Sequence, residues 1–248
     1  MYLKTRDDGH SPLLYRGLTP QIIFRNQKIY DKYLTRIVYG GYLSNLSSRK
    51  NKVKYTNEIT ASKLELNYLY ARKINAFNNI AECWLGGLMT NTADMRFYSF
   101  LPNNSFAYQF SNAINASALF MRSFYAGIRK RPYKIGFEMD IAILAHVLRP
   151  SYIGLAPAEV YAKQDINIVA LFVNGNKIAL PDKFFRIQTE TYIDRFFLKT
   201  PNLNYRLSYK WALMVDRVSN VFYSAYHGIS FTRILHKEKI KYESSIRK

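Results

Sequence analysis

Cysteine is nearly missing from this chain. Cys83 is its one thiol, which excludes an internal disulfide and reads as a reducing compartment. Histidine is scarce as well: His10, His146, His227 and His236 are scattered, no Cys/His grouping has metal-ligand spacing, and neither a metal site nor a cofactor is expected. Long hydrophobic runs are also lacking. The longest apolar stretches, Ile141 to Leu148 and Ile168 to Val173, fall far short of the roughly 20 residues of a membrane-spanning helix. Acidic residues are the remaining shortage, with 17 Asp and Glu against 36 Lys and Arg.

That imbalance leaves a net charge of +19 in 248 residues, alongside 16% aromatics. Such an excess repels itself in a compact solitary protein and favours a polyanionic partner, nucleic acid before all others. A membrane surface is the rival, but a peripheral anchor concentrates its cations on one amphipathic helix, and here they are spread along the chain. No membrane insertion is expected. The opening residues carry Asp7 and Asp8, unlike an Arg-rich transit peptide or the apolar run of a signal peptide. Enrichment in Asn, Lys, Ile, Tyr and Phe points to an A/T-rich genome, such as an organelle's.

Residues 1–60 read as an irregular basic N-terminal extension, with Pro12, Pro20, Gly40-Gly41 and a basic loop from Ser47 to Lys54. Ser62 and Glu65 have capping-box spacing, and Leu66, Leu69, Ile74, Phe77 and Ala81 recur at helical intervals. A second helix is read from Phe110, Ala113, Ala118, Met121, Phe124 and Ile128, ending in a cationic knob at Arg129, Lys130 and Arg131 before Pro132. Met139 to Val147 predicts a strand buried on both faces, Ala156 to Asp165 a helix with Pro157 in its first turn, and Ile166 to Val173 a second buried strand. Strand, helix, strand is a βαβ unit with parallel strands. Further helices are expected over Thr189 to Leu198 and Leu207 to His227, before a basic tail from His236.

Chemistry is not visible in this pattern. There is no GxGxxG, no GxxxxGK[ST] and no GxSxG. Asp140 has no partner in the sequence, His146 lies inside an apolar run, and Cys83 has no basic activator beside it. A binding role, not an enzyme, is expected.

One octapeptide is more specific. Trp84 to Asn91 reads WLGGLMTN, and Trp84, Leu85, Gly86, Gly87, Thr90 and Asn91 resemble the signature of the universal small-subunit ribosomal protein two family. Met139-Asp140, Glu159 with Ala162, and Ala170 fall in the order that the family's later elements require. The similarity covers roughly residues 70–198. It departs from the family in the N-terminal Gly-His-rich segment and in the proline-glycine turn near Arg186-Ile187, as a divergent mitochondrial-type member would. Ala162 to Gln164 and Val173 to Pro181 are similar instead to the RNA-binding module of small-subunit ribosomal protein four, but that similarity leaves the octapeptide unexplained. A nucleotide-using α/β enzyme, binding a small ligand near Asn174 to Asn176, is the reading from another class.

The expected fold is therefore α/β, a flavodoxin/Rossmann-like parallel sheet flanked by helices, with an irregular N-terminal and a helical C-terminal extension. Residues 61–200 would be the α/β ribosomal-protein body and 201–248 a helical and basic extension. The resemblance implies a structural constituent of the mitochondrial small ribosomal subunit, in the matrix, touching ribosomal RNA and neighbouring proteins near the head-body junction. Candidate RNA contacts are Arg49, Lys50, Lys52, Lys54, Arg129, Lys130, Arg131 and Lys134, with Lys237, Lys239 and Lys241 in the tail.

Overall fold

Between Phe184 and Arg195 the strongly polar Arg186, Gln188, Glu190 and Asp194 share one parity and the aliphatic Ile187 and Ile193 the other. A period of two belongs to a strand, whose successive side chains point to opposite faces. The computed structural model describes residues 1–8, 11–48, 57–75, 81–99, 106–127, 131–149, 176–195, 204–218 and 221–234, and every regular element among them is a β-strand. In chain order these are β1 (Tyr2–Asp7), β2 (Ser11–Leu18), β3 (Gln21–Ile29), β4 (Tyr33–Ser48), β5 (Asn57–Ile74) and β6 (Glu82–Tyr98). They continue with β7 (Phe106–Ala126), β8 (Arg131–Leu148), β9 (Asn176–Ala179), β10 (Phe184–Arg195), β11 (Tyr205–Asp216) and β12 (Phe222–Arg233).

The strands form one sheet in the order β10-β11-β12-β1-β2-β4-β5-β6-β7-β8, and β8 pairs again with β10. The sheet thus returns to its first strand and closes as an antiparallel barrel. The two remaining strands extend existing staves. β3 continues the line of β2, since both meet β4 in one register, Arg16 opposite Ser47 and Gln21 opposite Tyr42. Pro20 sits in the break between them, where its missing N–H would leave a ladder bond unmade. β9 likewise shares the side of β8 that β10 occupies further along. Along β8 one residue bulges: Ile114 faces Leu144 and Asn115 faces Ala142, leaving Ile143 as the extra residue.

This architecture overturns the α/β expectation. The ladders between neighbouring strands are antiparallel, so there is no parallel flavodoxin/Rossmann-like sheet, and no helix flanks it among the described residues. The stretches read as helices at Ser62–Ala81, Phe110–Ile128, Thr189–Leu198 and Leu207–His227 supply strands β5, β7, β10, β11 and much of β12. The N-terminal segment read as irregular supplies β1 to β4, and the C-terminal extension read as helical supplies β11 and β12. Met139 to Val147 is a strand, but its neighbours β7 and β10 run antiparallel to it. The expected helix at 156–165, the strand at 166–173 and the tail from 236 lie outside the described residues.

The physical reason is the position of the apolar surface. Helical spacing was satisfied by taking apolar residues from both faces of a strand. Along β7, Phe110 and Phe124 lie on one face and Ala113 and Met121 on the other, as the alternating burial of the strand shows.

Candidate functional site

The barrel wall has two opposite characters. On β11 the outer face carries Tyr205, Leu207, Tyr209, Trp211, Leu213 and Val215, whereas Arg206, Ser208, Lys210 and Asp216 point inward. On β8 the outer face carries Tyr133, Ile135, Phe137, Met139 and Ile141, whereas Glu138 and Asp140 point inward and are buried. Many large apolar side chains are exposed, among them Leu18 at 79%, Ile178 at 75%, Ile229 at 74% and Phe231 at 72%. A barrel that keeps its outer face in water shows the reverse arrangement.

The lumen is filled by charged side chains that meet across it. Arg36 on β4 donates two hydrogen bonds to Glu138 on β8, one of them at 2.6 Å. Arg25 on β3 reaches Glu190 on β10 at 2.5 Å, and Arg186 on β10 reaches Glu65 on β5 at 3.3 Å. Towards the opposite end Arg96 lies 2.8 Å from Asp7, whose other oxygen accepts from Arg149. Gln109 donates to Asp216 at 2.9 Å, and Ser117 donates to Asp140 at 2.6 Å. Asp7, Glu65, Asp94, Glu138, Asp140, Glu190, Asp194 and Asp216 thus place much of the chain's small acidic complement inside the wall. Buried charges are tolerated when paired in this way, because the partner replaces lost hydration.

Apolar clusters pack between these charges. Trp84 packs with Leu34, Leu69, Ala71, Leu88, Leu119, Met121 and Tyr192, and the Lys73 ammonium lies 5.7 Å from the Trp84 ring centroid. A second cluster joins Leu3, Tyr15, Leu46, Ile59 and Tyr98, and a third joins Ala113, Ala142, Val147 and Phe184.

The octapeptide singled out by sequence lies in this wall, on β6. Trp84, Gly86 and Thr90 face the lumen, while Leu85, Gly87 and Asn91 face outward. Gly86 is required by a close approach: a Cβ there would fall 2.0 Å from the carbonyl oxygen of Tyr70 on β5. At Gly87 the nearest such atom is 4.0 Å away. Gly136 on β8 serves a similar purpose, since a Cβ would fall 2.1 Å from Cζ of Tyr192, the ring on which the Arg206 guanidinium rests at 3.6 Å.

Of the RNA-contact candidates, Arg49, Lys50, Lys52, Lys54, Arg129, Lys130, Lys237, Lys239 and Lys241 lie outside the described residues. Arg131 begins β8, paired with Ala126. Lys134 is half-buried on the lumen side, 3.9 Å from Glu82. His146 faces outward beside Asn112, and Asp140 faces inward towards Ser117. Among the described residues no group of His, Cys, Asp and Glu has the arrangement of a metal site.

Sequence reasoning missed the lumen charges and the outward belt, although β10 carried their mark in Arg186, Glu190 and Asp194, all on one face of a strand. Aromatic pairs complete the belt near both strand ends. At one end Tyr30 stacks on Tyr33 at 4.3 Å, Phe124 on Tyr133 at 5.7 Å, and Tyr205 lies 5.2 Å from Phe231. At the other, Phe97 lies 4.8 Å from Phe106. No family model, curated protein or solved structure matches this chain.

Proposed function

We propose that this chain is an integral membrane β-barrel whose lumen is closed by cross-barrel ion pairs, so that it serves as a membrane-embedded binding or scaffolding protein and not as an open pore. The observation that carries the reading is the inverted wall: apolar and aromatic side chains outside, charged pairs inside. In water each large apolar side chain left exposed forgoes about 1.5–3 kcal/mol that burial would supply. In hydrocarbon the same surface is at home, and apart from the β3 edge and the end of β12 the paired staves satisfy their ladder groups internally.

Dimensions agree. The outer apolar run of β8 from Tyr133 to Leu144, at roughly 3.3 Å per residue and a tilt near 40°, rises about 30 Å, which covers an apolar band of about 25 Å. Counting β2 with β3 and β9 with β10 as single staves gives an even-numbered barrel, with β1 and β12 adjacent. Outward cations Lys28, Arg72, Arg122, Arg195 and Arg233 gather at the end where the Tyr30–Tyr33 and Tyr205–Phe231 pairs lie. There they can reach headgroups. The expectation against membrane insertion rests on helical spans, and strands cross by a different pattern.

The small-ribosomal-subunit reading retains one observation in its favour, the net charge of +19. Of the elements on which its resemblance rested, those among the described residues, Trp84 to Asn91 and Met139-Asp140, lie on strands of the barrel. Fractionation separates the two. The barrel reading expects the chain to stay with membranes through an alkaline carbonate wash and to show a heat-modifiable band on electrophoresis. Co-sedimentation with small ribosomal subunits, with nothing in the membrane pellet, would overturn it.

A further inference from the structure

Among the described residues the wall is incomplete on one side. β3 pairs with β4 alone among the described strands, and β12 pairs with β1 only as far as His227, leaving Ile229 to Arg233 with β11 as their described partner. Between these edges lies a cavity of about 680 Å³, within the range of small-molecule sites. Its lining joins both faces of the wall: Phe24 and Tyr39 from the outer side, and Arg25, Lys134, Arg206 and Lys210 from the lumen.

The cations of this cavity are only partly answered. Arg25 and Lys210 share Glu190, at 2.5 and 3.9 Å, and Arg206 holds Asp194 through Nε and Nη2 at 2.6 and 2.9 Å. The Nη1 groups of Arg25 and Arg206 are buried and have no hydrogen-bond partner. Two guanidiniums lining one cavity match an anionic oxygen cluster, because charge-assisted bonds to such oxygens are the strong ones. The stacked Phe24 and Tyr39 rings, 5.1 Å apart, form an apolar lip outside it.

We infer that this lateral cavity binds a single-chain anionic amphiphile, its phosphate or carboxylate head on Arg25 and Arg206 and its hydrocarbon chain leaving past Phe24 and Tyr39 into the bilayer. The inference rests on the membrane-barrel reading, which supplies hydrocarbon at the lip. It assigns the open side of the wall as a ligand entrance and the lumen ion pairs as the frame that aims the two arginines.

The test uses the full chain folded in neutral maltoside micelles, with dodecyl phosphate as probe and inorganic phosphate and dodecanol as controls, followed by calorimetry. Saturable one-to-one binding of dodecyl phosphate is expected, with both controls weaker by about a hundredfold, since each keeps only half of the recognition. Arg25→Gln should weaken the probe about tenfold or more, the scale of one charge-assisted hydrogen bond. Gln27→Trp, which narrows the cavity from its lining without replacing a member of an ion pair, should weaken binding about tenfold or more and carries the test if Arg25→Gln does not fold. Equal affinity for dodecyl phosphate and dodecanol, or wild-type affinity in Gln27→Trp, would overturn the site. A barrel that inserts into vesicles but does not hold the probe removes this inference and leaves the membrane reading standing. A chain that holds the probe but does not insert supports the site and contradicts the bilayer around it.

Discussion

Arg36 and Glu138, 102 residues apart in the chain, meet across the barrel lumen through two hydrogen bonds, with both side chains almost fully withdrawn from solvent. Their separation shows what the closed sheet accomplishes: it brings staves β4 and β8 face to face and turns a cation and an anion into a strut. Removing one member would leave the other charged and buried. Arg36→Ala or Glu138→Ala alone should cost about 3–5 kcal/mol, whereas the pair replaced by Met and Leu should recover most of that loss. Urea unfolding of the three variants in lipid vesicles measures the coupling. A Met–Leu pair that is as unstable as the single variants would show that the buried unpaired charge is not what costs stability.

The two neighbouring glycines of β6 should respond differently to one methyl group. Gly86→Ala forces the β5–β6 ladder apart, because its Cβ would lie 2.0 Å from the Tyr70 carbonyl oxygen, and should cost about 1–3 kcal/mol or more. Gly87→Ala meets nothing closer than 4.0 Å and should be near neutral. The same unfolding measurement compares them, and a larger loss at Gly87 would contradict the assigned facing of β6.

An outward charge should be costly in proportion to its depth. Met139 lies near the middle of the outer run of β8, opposite Ala118 and Thr189, so Met139→Arg should lose about 2–4 kcal/mol in a bilayer. Arg122, near the strand end, already holds a cation on the outer face, and Arg122→Leu should change stability by roughly 1 kcal/mol or less. Folding yield into vesicles against urea reads both. Indifference to arginine at position 139 would argue that water, not lipid, covers that face.

Parts of this structure were legible in sequence. Tyr205–Asp216 alternates cleanly, with Arg206, Ser208 and Lys210 between aromatic and aliphatic residues, and a period-two count there outscores a helical one. β7 was harder. Its inner positions include Ala107, Ala113 and Leu119 beside Gln109, Ser111 and Ser117, so apolar residues fall on both faces and a 3.6 period can be threaded through them. Closure was not legible at all, since the β8–β10 pairing depends on residues far apart in sequence. The Trp84–Asn91 segment shows the same limit: eight residues that resemble a ribosomal-protein signature are held as strand by Tyr70 on one side and Leu119 on the other. The lateral cavity could not be anticipated, because Arg25, Glu190 and Arg206 converge only after the sheet has closed.

The chain's two tryptophans stand on opposite sides of the wall, Trp84 in the lumen cluster and Trp211 on the outer face of β11. Single-tryptophan variants, Trp84→Phe and Trp211→Phe, folded into vesicles with brominated acyl chains, test the inverted barrel most directly. The account predicts strong quenching when Trp211 remains and weak quenching when Trp84 remains, each within a barrel that keeps its heat-modifiable band. Trp211 emission that is untouched by brominated lipid and quenched instead by a water-soluble quencher would contradict it.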